Sequence, residues 1–468
     1  MEQRWKTWGF LVVVMLMAGF FLCGDDRIIS AQENFWYEAY NYTLQNSEDG
    51  KENYIRLTSY KDSAKVIFVP ATATIGGIVY RTQLAPGNES IWHSARKEVT
   101  SIEFEKGCLL GDHAGFLFHD LEKLEHVNVE VFDLSNTTVT AWMFAGCKNL
   151  RTLQVEHWEL SKVTNMFNMF GGCEKLSHLE VGQWDTSNVT IMISVFDHCK
   201  SLSNISVENW DVGKVTATNS MFYMCEKLQT LDLHKWNTSN ITDMWEMFGR
   251  CYSLRSINVK GWDTSKVESM AGLFCCNYSL LSLDLSSFDM SNVVFKQYDD
   301  GLFTRCGSLK TIKTPKKITQ NVDLHVNLTY RKKTGNKLSK KTYTYIPKGE
   351  KSIVLVCDQS KSKKTSIKKV TSSNGTITLS WKKVMAKSPW LPVQYEVQCS
   401  TNKNFSDSVG TVLYTTDATY CVQDNVTERT KTKIKGLTEG NTYYVRVRVF
   451  TYEKRLSDWS NVKKIKIK

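Results

Sequence analysis

Residues 236–254 read WNTSNITDMWEMFGRCYSL, and residues 262–280 read WDTSKVESMAGLFCCNYSL. The second stretch begins 26 residues after the first and keeps the same residue types at the same places. The same spacing connects a column of aromatic residues: Phe144, Phe170, Phe196, Phe222, Phe248 and Phe274. A chain that repeats at a fixed period of this length is typical of a solenoid, in which each repeat forms one turn.

Other residue types repeat with the same period and predict what each turn contains. The tryptophan column is Trp158, Trp184, Trp210, Trp236 and Trp262, continued by Phe288, and the cysteine column is Cys147, Cys173, Cys199, Cys225 and Cys251. Residues 228–233 alternate apolar with polar, which predicts a β-strand. The apolar residues of 244–251 then recur at helical spacing, which predicts a short helical return. We therefore predict a β-rich solenoid with one strand and one helical return in each 26-residue repeat.

The repeat motifs also resemble those of a known family. The sequences WDTSNVT at 184–190, WNTSNITDM at 236–244 and Met-Phe-x-x-Cys-x-x-Leu at 247–254 resemble the BspA-type leucine-rich repeats of bacterial surface proteins. The resemblance covers residues 107–310. Residues 32–106 resemble the β-rich leader of such proteins, and residues 311–357 resemble the strand-rich C-terminal cap. The resemblance implies an exported protein associated with adhesion to host proteins or other cells, and it does not name a ligand.

Residues 367–468 predict a different, all-β domain. Alternating runs at Thr376–Trp381, Gln394–Cys399 and Tyr443–Val449 are bounded by turn residues, as in a β-sandwich. The segment from Leu437 to Tyr443 resembles the corner of a fibronectin type III domain, in which the tyrosine hydroxyl hydrogen-bonds back to the chain. That resemblance implies that Trp381, Leu437 and Tyr443 belong to the core. Residues 358–366, rich in lysine and serine, are the predicted linker.

Residues 1–31 are predicted to be a signal peptide. Arg4 and Lys6 precede an apolar run that is too short for a membrane span, and residues 29–31 offer a small-residue cleavage site. The mature chain would then begin near Gln32. A lipid anchor on Cys23 is the alternative, but the bulky Leu22 before it disfavours this. No second apolar run long enough to cross a bilayer follows, so we predict a secreted or cell-surface protein without a transmembrane segment after cleavage.

The net charge of +11 conceals a division between the two parts of the chain. Residues 307–468 contain 33 basic and 11 acidic residues, a net charge of +22, which leaves −11 for residues 1–306. The basic part has no arginine-rich helix, zinc finger or stacking-aromatic motif, so nucleic acid is not a predicted partner. Electrostatic association with acidic envelope polymers is possible through this part.

The sequence contains no recognisable catalytic motif or phosphate-binding loop, and we predict no enzymatic activity and no cofactor. The column cysteines are predicted to be reduced core residues, because neighbours in one column point in parallel and cannot bridge. Cys275 and Cys276 could form a redox pair, but one core residue and one surface neighbour is the favoured prediction. Whether Cys399 and Cys421 pair depends on strand register and stays open.

One acidic column raises the question of metal binding. Its members are Asp133, Asp185, Asp211, Asp263 and Asp289, with Glu159 and Asn237 at the remaining positions. Stacked carboxylates repel one another, so bridging Ca²⁺ is one interpretation. Side chains that cap local turn amides are the favoured one, because a neutral Asn237 is accepted and no Asp-x-Asp-x-Asp loop is present. We therefore predict no metal site.

Strand alternation indicates where a ligand would bind. If Leu153 and Val155 point inward, the residues between them point outward. The predicted ligand face consists of Thr152, Gln154, Glu156, His178, Glu180, Asn204, Glu208, Asp232, His234, Asn258, Lys260 and Asp284. The predicted function is adhesion, with host or neighbouring-cell surface proteins or glycoproteins as partners. A structural envelope spacer is the alternative, and a glycan-binding module is another if exposed aromatic residues cluster on one face.

Overall fold

The computed structural model describes residues 36–46, 52–294, 301–324, 329–357, 365–382, 394–405, 408–414, 431–450 and 457–468. The predicted signal peptide with Cys23, residues 358–364 of the linker, and Cys421 lie outside the described residues. The chain divides into two compact units. One comprises Met1–Cys306, Ile312–Val322 and Pro347–Ile353, and the other comprises Gly307–Thr311, Asp323–Ile346 and Val354–Lys468.

The first unit begins with two small sheets. Its strands are β1 (Tyr40–Asn46), β2 (Asn53–Tyr60), β3 (Val66–Val69), β4 (Thr72–Ile75), β5 (Ile78–Leu84), β6 (Ser101–Phe104), β7 (Leu109–Leu110) and β8 (His126–Val127). One sheet has the order β1-β2-β5-β4 with β7 also on β5, and the other is parallel with the order β3-β6-β8. Phe104 of β6 packs against Phe132 with ring centroids 4.8 Å apart. The second sheet thus continues the leader into the first solenoid turns.

The solenoid itself is built from parallel turns in a 26-residue register. Single parallel bridges connect successive turns through His113, Val139, Asn165, Ile191, Ala217, Asp243 and Ser269. The following strands are β9 (Thr230–Asp232), β10 (Ser256–Asn258), β11 (Ser282–Asp284), β12 (Asp289–Met290), β13 (Thr311–Lys313), β14 (Lys317–Ile318) and β15 (Val322–Asp323). β9 pairs with β10, and β12 pairs with β14, both in parallel. The predicted β-rich solenoid is confirmed.

The core of the solenoid consists of stacked columns of identical side chains. Successive rings of the phenylalanine column lie 5.1–5.9 Å apart from Phe118 to Phe303, and nearly all are parallel. Each tryptophan Nε1–H of the tryptophan column donates to a backbone carbonyl of the preceding turn, for example Trp210 to Val181 at 2.9 Å. Burial of the indole therefore leaves no polar atom unpaired at these positions.

The predicted helical return is wrong, although its apolar residues are buried as expected. Residues 244–251 contain Glu246 and Arg250 at φ 49° and 59°, the left-handed region that interrupts an α-helix. Alternate N–H groups bond to the next turn: Met244 to Ser269, Glu246 to Ala271, Phe248 to Leu273 and Arg250 to Cys275, at 2.7–3.0 Å. Because these donors point along the solenoid axis, they cannot bond to the fourth residue before them as in a helix. Within the described residues, the helices are three short 3-10 helices, Trp36–Ala39, His93–Ala95 and Val129–Val131.

The second unit contains two groups of antiparallel strands. Its remaining strands are β16 (Tyr330–Thr334), β17 (Lys337–Tyr343), β18 (Tyr345–Ile346), β19 (Val354–Cys357), β20 (Ile367–Ser373), β21 (Thr376–Trp381), β22 (Gln394–Ser400), β23 (Ser408–Tyr414), β24 (Lys431–Ile434), β25 (Thr442–Phe450) and β26 (Lys463–Lys466). β16 pairs with β17 and with β19. The sheets β20-β21-β24 and β23-β22-β25-β26 together enclose one apolar core that includes Trp381, Val397 and Val447. The C-terminal residues therefore form two antiparallel sheets that share one core.

Candidate functional site

The predicted ligand face lies at the surface of the solenoid. Leu153 and Val155 are buried, and the polar residues beside them are exposed. Ten of the twelve predicted residues are exposed, and Glu208 and Asp284 are half-buried. The alternation holds even in turns without a hydrogen-bonded strand, because the extended backbone still directs successive side chains to opposite sides. Exposure makes these residues available, and their role in binding stays a prediction.

A shallow groove of about 570 Å³ crosses this face over three consecutive turns. The residues that line it are His178, Leu179, Glu180, Asn204, Ile205, Ser206, Glu208, Thr230, Asp232, His234 and Lys235. Six of them belong to the predicted face: His178, Glu180, Asn204, Glu208, Asp232 and His234. The groove is therefore polar, with three carboxylates supplied by three different turns.

Two of these carboxylates have an imidazole partner. His178 Nε2 lies 2.7 Å from Glu180 Oε1, and His234 Nδ1 lies 2.6 Å from Asp232 Oδ1. The hydrogen bond from His234 lowers the pKa of Asp232 below its usual value, and the backbone N–H of His234 contributes in the same direction. Both pairs join residues two positions apart, which the extended backbone places on one face. These hydrogen bonds favour the anionic form of Asp232 in the groove.

The other predicted residues lie beyond the groove. Thr152, Gln154 and Glu156 belong to the preceding turn, and Asn258 and Lys260 to the following one. Asp284 is engaged elsewhere, because Lys313 Nζ lies 2.6 Å from its carboxylate. The sequence therefore indicates which residues are exposed on this side, and the structure adds which six of them line the groove.

The aspartate column caps turns, as the favoured prediction states. Asp185 Oδ1 accepts the backbone N–H of Ser187 at 3.0 Å, and Asn237 Oδ1 accepts that of Ser239 at 3.3 Å. The same type of hydrogen bond occurs in four other turns. The backbone N–H groups that donate are those of Ser135, Gly213, Ser265 and Ser291, and the acceptors are Asp133, Asp211, Asp263 and Asp289 in that order. Hydrogen bonds from the Ser187 hydroxyl and backbone N–H lower the pKa of Asp185. Among the described residues, no group of three His, Cys, Asp or Glu side chains is arranged to hold a metal ion.

The cysteine column is buried and reduced, as predicted. Each thiol donates to a carbonyl of the preceding turn, for example Cys199 to Phe170 at 3.2 Å. Burial raises the pKa of Cys251 to about 12, which makes this thiol unreactive. Cys399 is also buried, and its pairing with Cys421 is untested because Cys421 lies outside the described residues.

Cys275 and Cys276 differ from the prediction of one core residue and one surface neighbour. Both are buried, with 1% and 7% of their surface exposed. The position of the cysteine column in this turn is taken by Asn277, whose Nδ2 donates to the carbonyls of Phe248 and Phe274 at 2.9 and 3.0 Å. The two cysteines therefore occupy the two preceding positions of the return segment. Continuing the repeat register from Cys251 leads to Asn277 and would have revealed this.

A half-buried aromatic cluster on the return side was not predicted. Phe116 and Trp142 are stacked with centroids 6.0 Å apart at 9°, and Phe167 lies 5.2 Å from Trp142. The ring of His119 packs edge-on against Trp142 at 5.4 Å. Phe116 and Trp142 are 26 residues apart and share one position of the repeat, but the following turns have Asn168, Ser194 and Ser220 there, so no aromatic column signals the cluster. Two left-handed residues, Phe116 and Trp142, turn their side chains outward.

Comparisons with known proteins identify the repeats without describing an activity. A family model described as "Mycoplasma protein of unknown function, DUF285" matches residues 114–231 and 220–324. These overlapping matches cover less than half of the 468 residues. A search of curated proteins found no match.

A similar solved structure is a leucine-rich cell surface protein from Faecalibacterium prausnitzii. The two sequences are 15% identical, and the TM-score is 0.22. The alignment covers 64% of this chain and 58% of that chain, so this chain spans less than two thirds of its length. Within the described part of the chain, no helix has the length and hydrophobicity of a membrane span.

Proposed function

We propose that this chain is a surface-displayed binding protein that captures a basic segment of a protein or glycoprotein in the groove of its solenoid. The observation that supports this most is the convergence of Glu180, Glu208 and Asp232 from three turns in one groove. A concave site that combines several polar groups is the usual location for ligand binding, and extended solenoid faces serve that role.

The charges of the groove favour a cationic ligand. It contains three carboxylates against one lysine, Lys235, whose Nζ donates to Asn209 Oδ1 at 2.7 Å; two of the carboxylates also contact histidines. Exposed ion pairs contribute about 0.5 kcal/mol each. Three of them amount to about 1.5 kcal/mol, which corresponds to roughly a tenfold change in affinity. Shape and apolar contacts must supply the remaining affinity.

The experiment compares two triple variants of the mature protein in a panel of host matrix proteins, mucins and bacterial wall fractions. One variant combines Glu180→Gln, Glu208→Gln and Asp232→Asn, which removes the groove carboxylates. We expect about a tenfold loss of affinity for the ligand that the panel identifies. If a ligand binds with unchanged affinity, the groove is not its site.

The matched control removes the same charge away from the groove. It combines Glu125→Gln, Glu159→Gln and Glu268→Gln, all exposed residues. An equal loss in both variants would indicate a general electrostatic effect and would refute a specific groove. Only weak, salt-sensitive retention of the wild type on wall fractions would favour the alternative function, a structural envelope spacer.

We further propose that residues 367–468 form a fibronectin type III domain that acts as a spacer or a second contact. Its support is the two-sheet sandwich and the corner at Tyr443, whose hydroxyl accepts the backbone N–H of Thr438 at 3.2 Å. Trp381 packs on Tyr395 in the core, with centroids 5.2 Å apart. The net charge of +22 on residues 307–468 supports an additional attraction to acidic envelope polymers.

Membership of the BspA-type surface proteins and an extracellular location are part of the same proposal. They rest on the repeat motifs and on the apolar N-terminal run that resembles a signal peptide. The proposed function includes no catalytic activity. The test of location is cell fractionation with protease accessibility on intact cells, and a protein that resists external protease would contradict surface display.

Glycan binding is a second candidate function, favoured by the half-buried cluster of Phe116, Trp142 and Phe167. Sugar rings stack on aromatic faces, and the Trp142 ring is the centre of this cluster. Trp142→Ala is expected to abolish retention on mucin glycans if the cluster is the site. Loss of binding in the groove variant but not in Trp142→Ala would assign the ligand to the groove.

A further inference from the structure

We propose that Cys275 and Cys276 form a reactive dithiol site in which the Cys276 thiolate is modified by small disulfides that carry carboxylate groups. The site lies on the return segment, away from the groove, and does not depend on the proposed binding function. It is distinct from the cysteine column, whose position in this turn is taken by Asn277.

The backbone places Cys276 between two arginines. Arg250, Cys276 and Arg305 are the left-handed residues at the same place in three successive turns, with φ of 59°, 59° and 63°. The Arg250 N–H donates to the Cys275 carbonyl at 2.7 Å, and the Cys276 N–H donates to the Thr304 carbonyl at 2.7 Å. Equal backbone conformations in adjacent turns send these three side chains in the same direction. The Cys276 sulfur therefore lies in a field of two guanidinium groups.

The Cys275 side chain lies in a packed environment on the return segment. Its Sγ lies 4.0 Å from Glu246 Oε1. A Cβ added at Gly249 would come within 3.1 Å of this sulfur, and one added at Gly272 within 3.5 Å. Because Gly249 and Gly272 have no side chain, they leave the space that the Cys275 thiol fills. In this arrangement the Cys275 thiol donates to Glu246 Oε1, and Cys276 follows Cys275 directly in the chain.

The electrostatics agree with this geometry. The pKa of Cys276 is lowered to about 6: the neighbouring Cys275 thiol contributes most, the charges of Arg305 and Arg250 and a hydrogen bond with Tyr278 add to the decrease, and burial opposes it. In the column, by contrast, burial raises the pKa of Cys251 to about 12. Cys276 also keeps 7% of its surface exposed, whereas Cys251 has 0%. The two thiols in adjacent turns should therefore differ greatly in reactivity.

The reaction is a thiol–disulfide exchange. The Cys276 thiolate attacks one sulfur of the small disulfide, the S–S bond of the reagent breaks, and a mixed disulfide forms on Cys276. The other half of the reagent leaves as a thiolate, which takes a proton from water. Carboxylates on the reagent pair with the guanidinium groups of Arg250 and Arg305. Adjacent Cα atoms are only about 3.8 Å apart, less than most disulfides span, so the mixed disulfide is the expected product.

The test measures modification of the folded, reduced full-length protein by glutathione disulfide, with peptide mass mapping over time. We expect Cys276 to react at least roughly 100-fold faster than Cys251 near pH 7, because the rate follows the thiolate fraction and access. The rate at Cys276 should fall as the pH decreases through about 6. Equal rates at Cys276 and Cys251 in the folded protein would overturn the proposal.

Three variants test the environment of the thiolate. Arg250→Gln is expected to slow modification of Cys276 roughly fivefold, and the matched control Arg255→Gln, an exposed arginine in the same turn, should not change it. Cys275→Ala should move the pH profile of Cys276 upward, because the contribution of the Cys275 thiol is lost. Identical rates in Arg250→Gln and Arg255→Gln, or an unchanged profile in Cys275→Ala, would refute the assigned roles. If a variant fails to fold, the comparison of the modification rates of Cys276 and Cys251 in the wild-type protein still tests the proposal.

Discussion

Phe196→Ala should destabilise the solenoid by about 3–5 kcal/mol. The Phe196 ring has 0% of its surface exposed. It lies 5.7 Å from the Phe170 ring and 5.4 Å from the Phe222 ring, and Trp210 packs beside it at 6.0 Å. Removing the buried ring forfeits about 2–3 kcal/mol of transfer free energy. The lost ring contacts and the cavity account for the remainder, because two neighbouring turns hold the space open.

Two matched variants show whether the stacked column is the cause. Phe196→Leu keeps most of the volume and should cost less than about 1.5 kcal/mol. Trp245→Ala removes a larger ring, but this ring is 45% exposed, so the change should stay within about 0.5 kcal/mol. A loss in Phe196→Ala no greater than that in Trp245→Ala would refute the reasoning.

The assay combines guanidinium denaturation, followed by tryptophan fluorescence, with hydrogen exchange. Each turn contacts only its neighbours, so the loss of exchange protection should be concentrated between about residues 170 and 222. The strands of the C-terminal sheets, β20 to β26, serve as an internal control. Uniform loss of protection along the whole chain would indicate that the solenoid does not behave as a series of coupled turns.

The remaining predictions concern a turn cap, the sandwich corner and a buried thiol. Folding lowers the pKa of Asp185. The ionised carboxylate therefore stabilises the folded protein above about pH 4, and this stabilisation is lost as the pH falls through the pKa of Asp185 in the folded state. In an acid titration, Asp185→Asn should lose less stability than the wild type. Tyr443→Phe should cost about 1 kcal/mol in thermal unfolding of the sandwich, because the Thr438 N–H loses its acceptor, and Tyr444→Phe should not. Cys199 should resist alkylation in the folded protein at pH 8 and react only after denaturation, since burial raises its pKa; modification of the native protein at Cys199 would contradict its place in the core.

The location of the candidate groove could be predicted from the sequence only in part. Alternation around Leu179 and Leu231 assigns His178, Glu180 and Asp232 to the outer face, because an extended chain alternates whatever its hydrogen bonding. The pairing of His178 with Glu180 joins two residues of one turn, whereas the concavity depends on side-chain positions across three turns. Periodicity carries no information about these positions, since they belong to residues that vary from turn to turn.

The sequence by itself determined the 26-residue period, the identity of the core columns and the direction in which the side chains of the strand segments point. It could do so because the same buried environment recurs in every turn and accepts the same residue types. Only the tertiary structure decided the conformation of the return segment. Alternate N–H groups such as those of Glu246 and Phe248 find their acceptors, Ala271 and Leu273, in the next turn of the solenoid, and a contact so distant along the chain overrides the local helical spacing. The 26-residue spacing places Arg250 and Cys276 in adjacent turns, but the left-handed backbone that these two residues share with Arg305 is seen only in the tertiary structure.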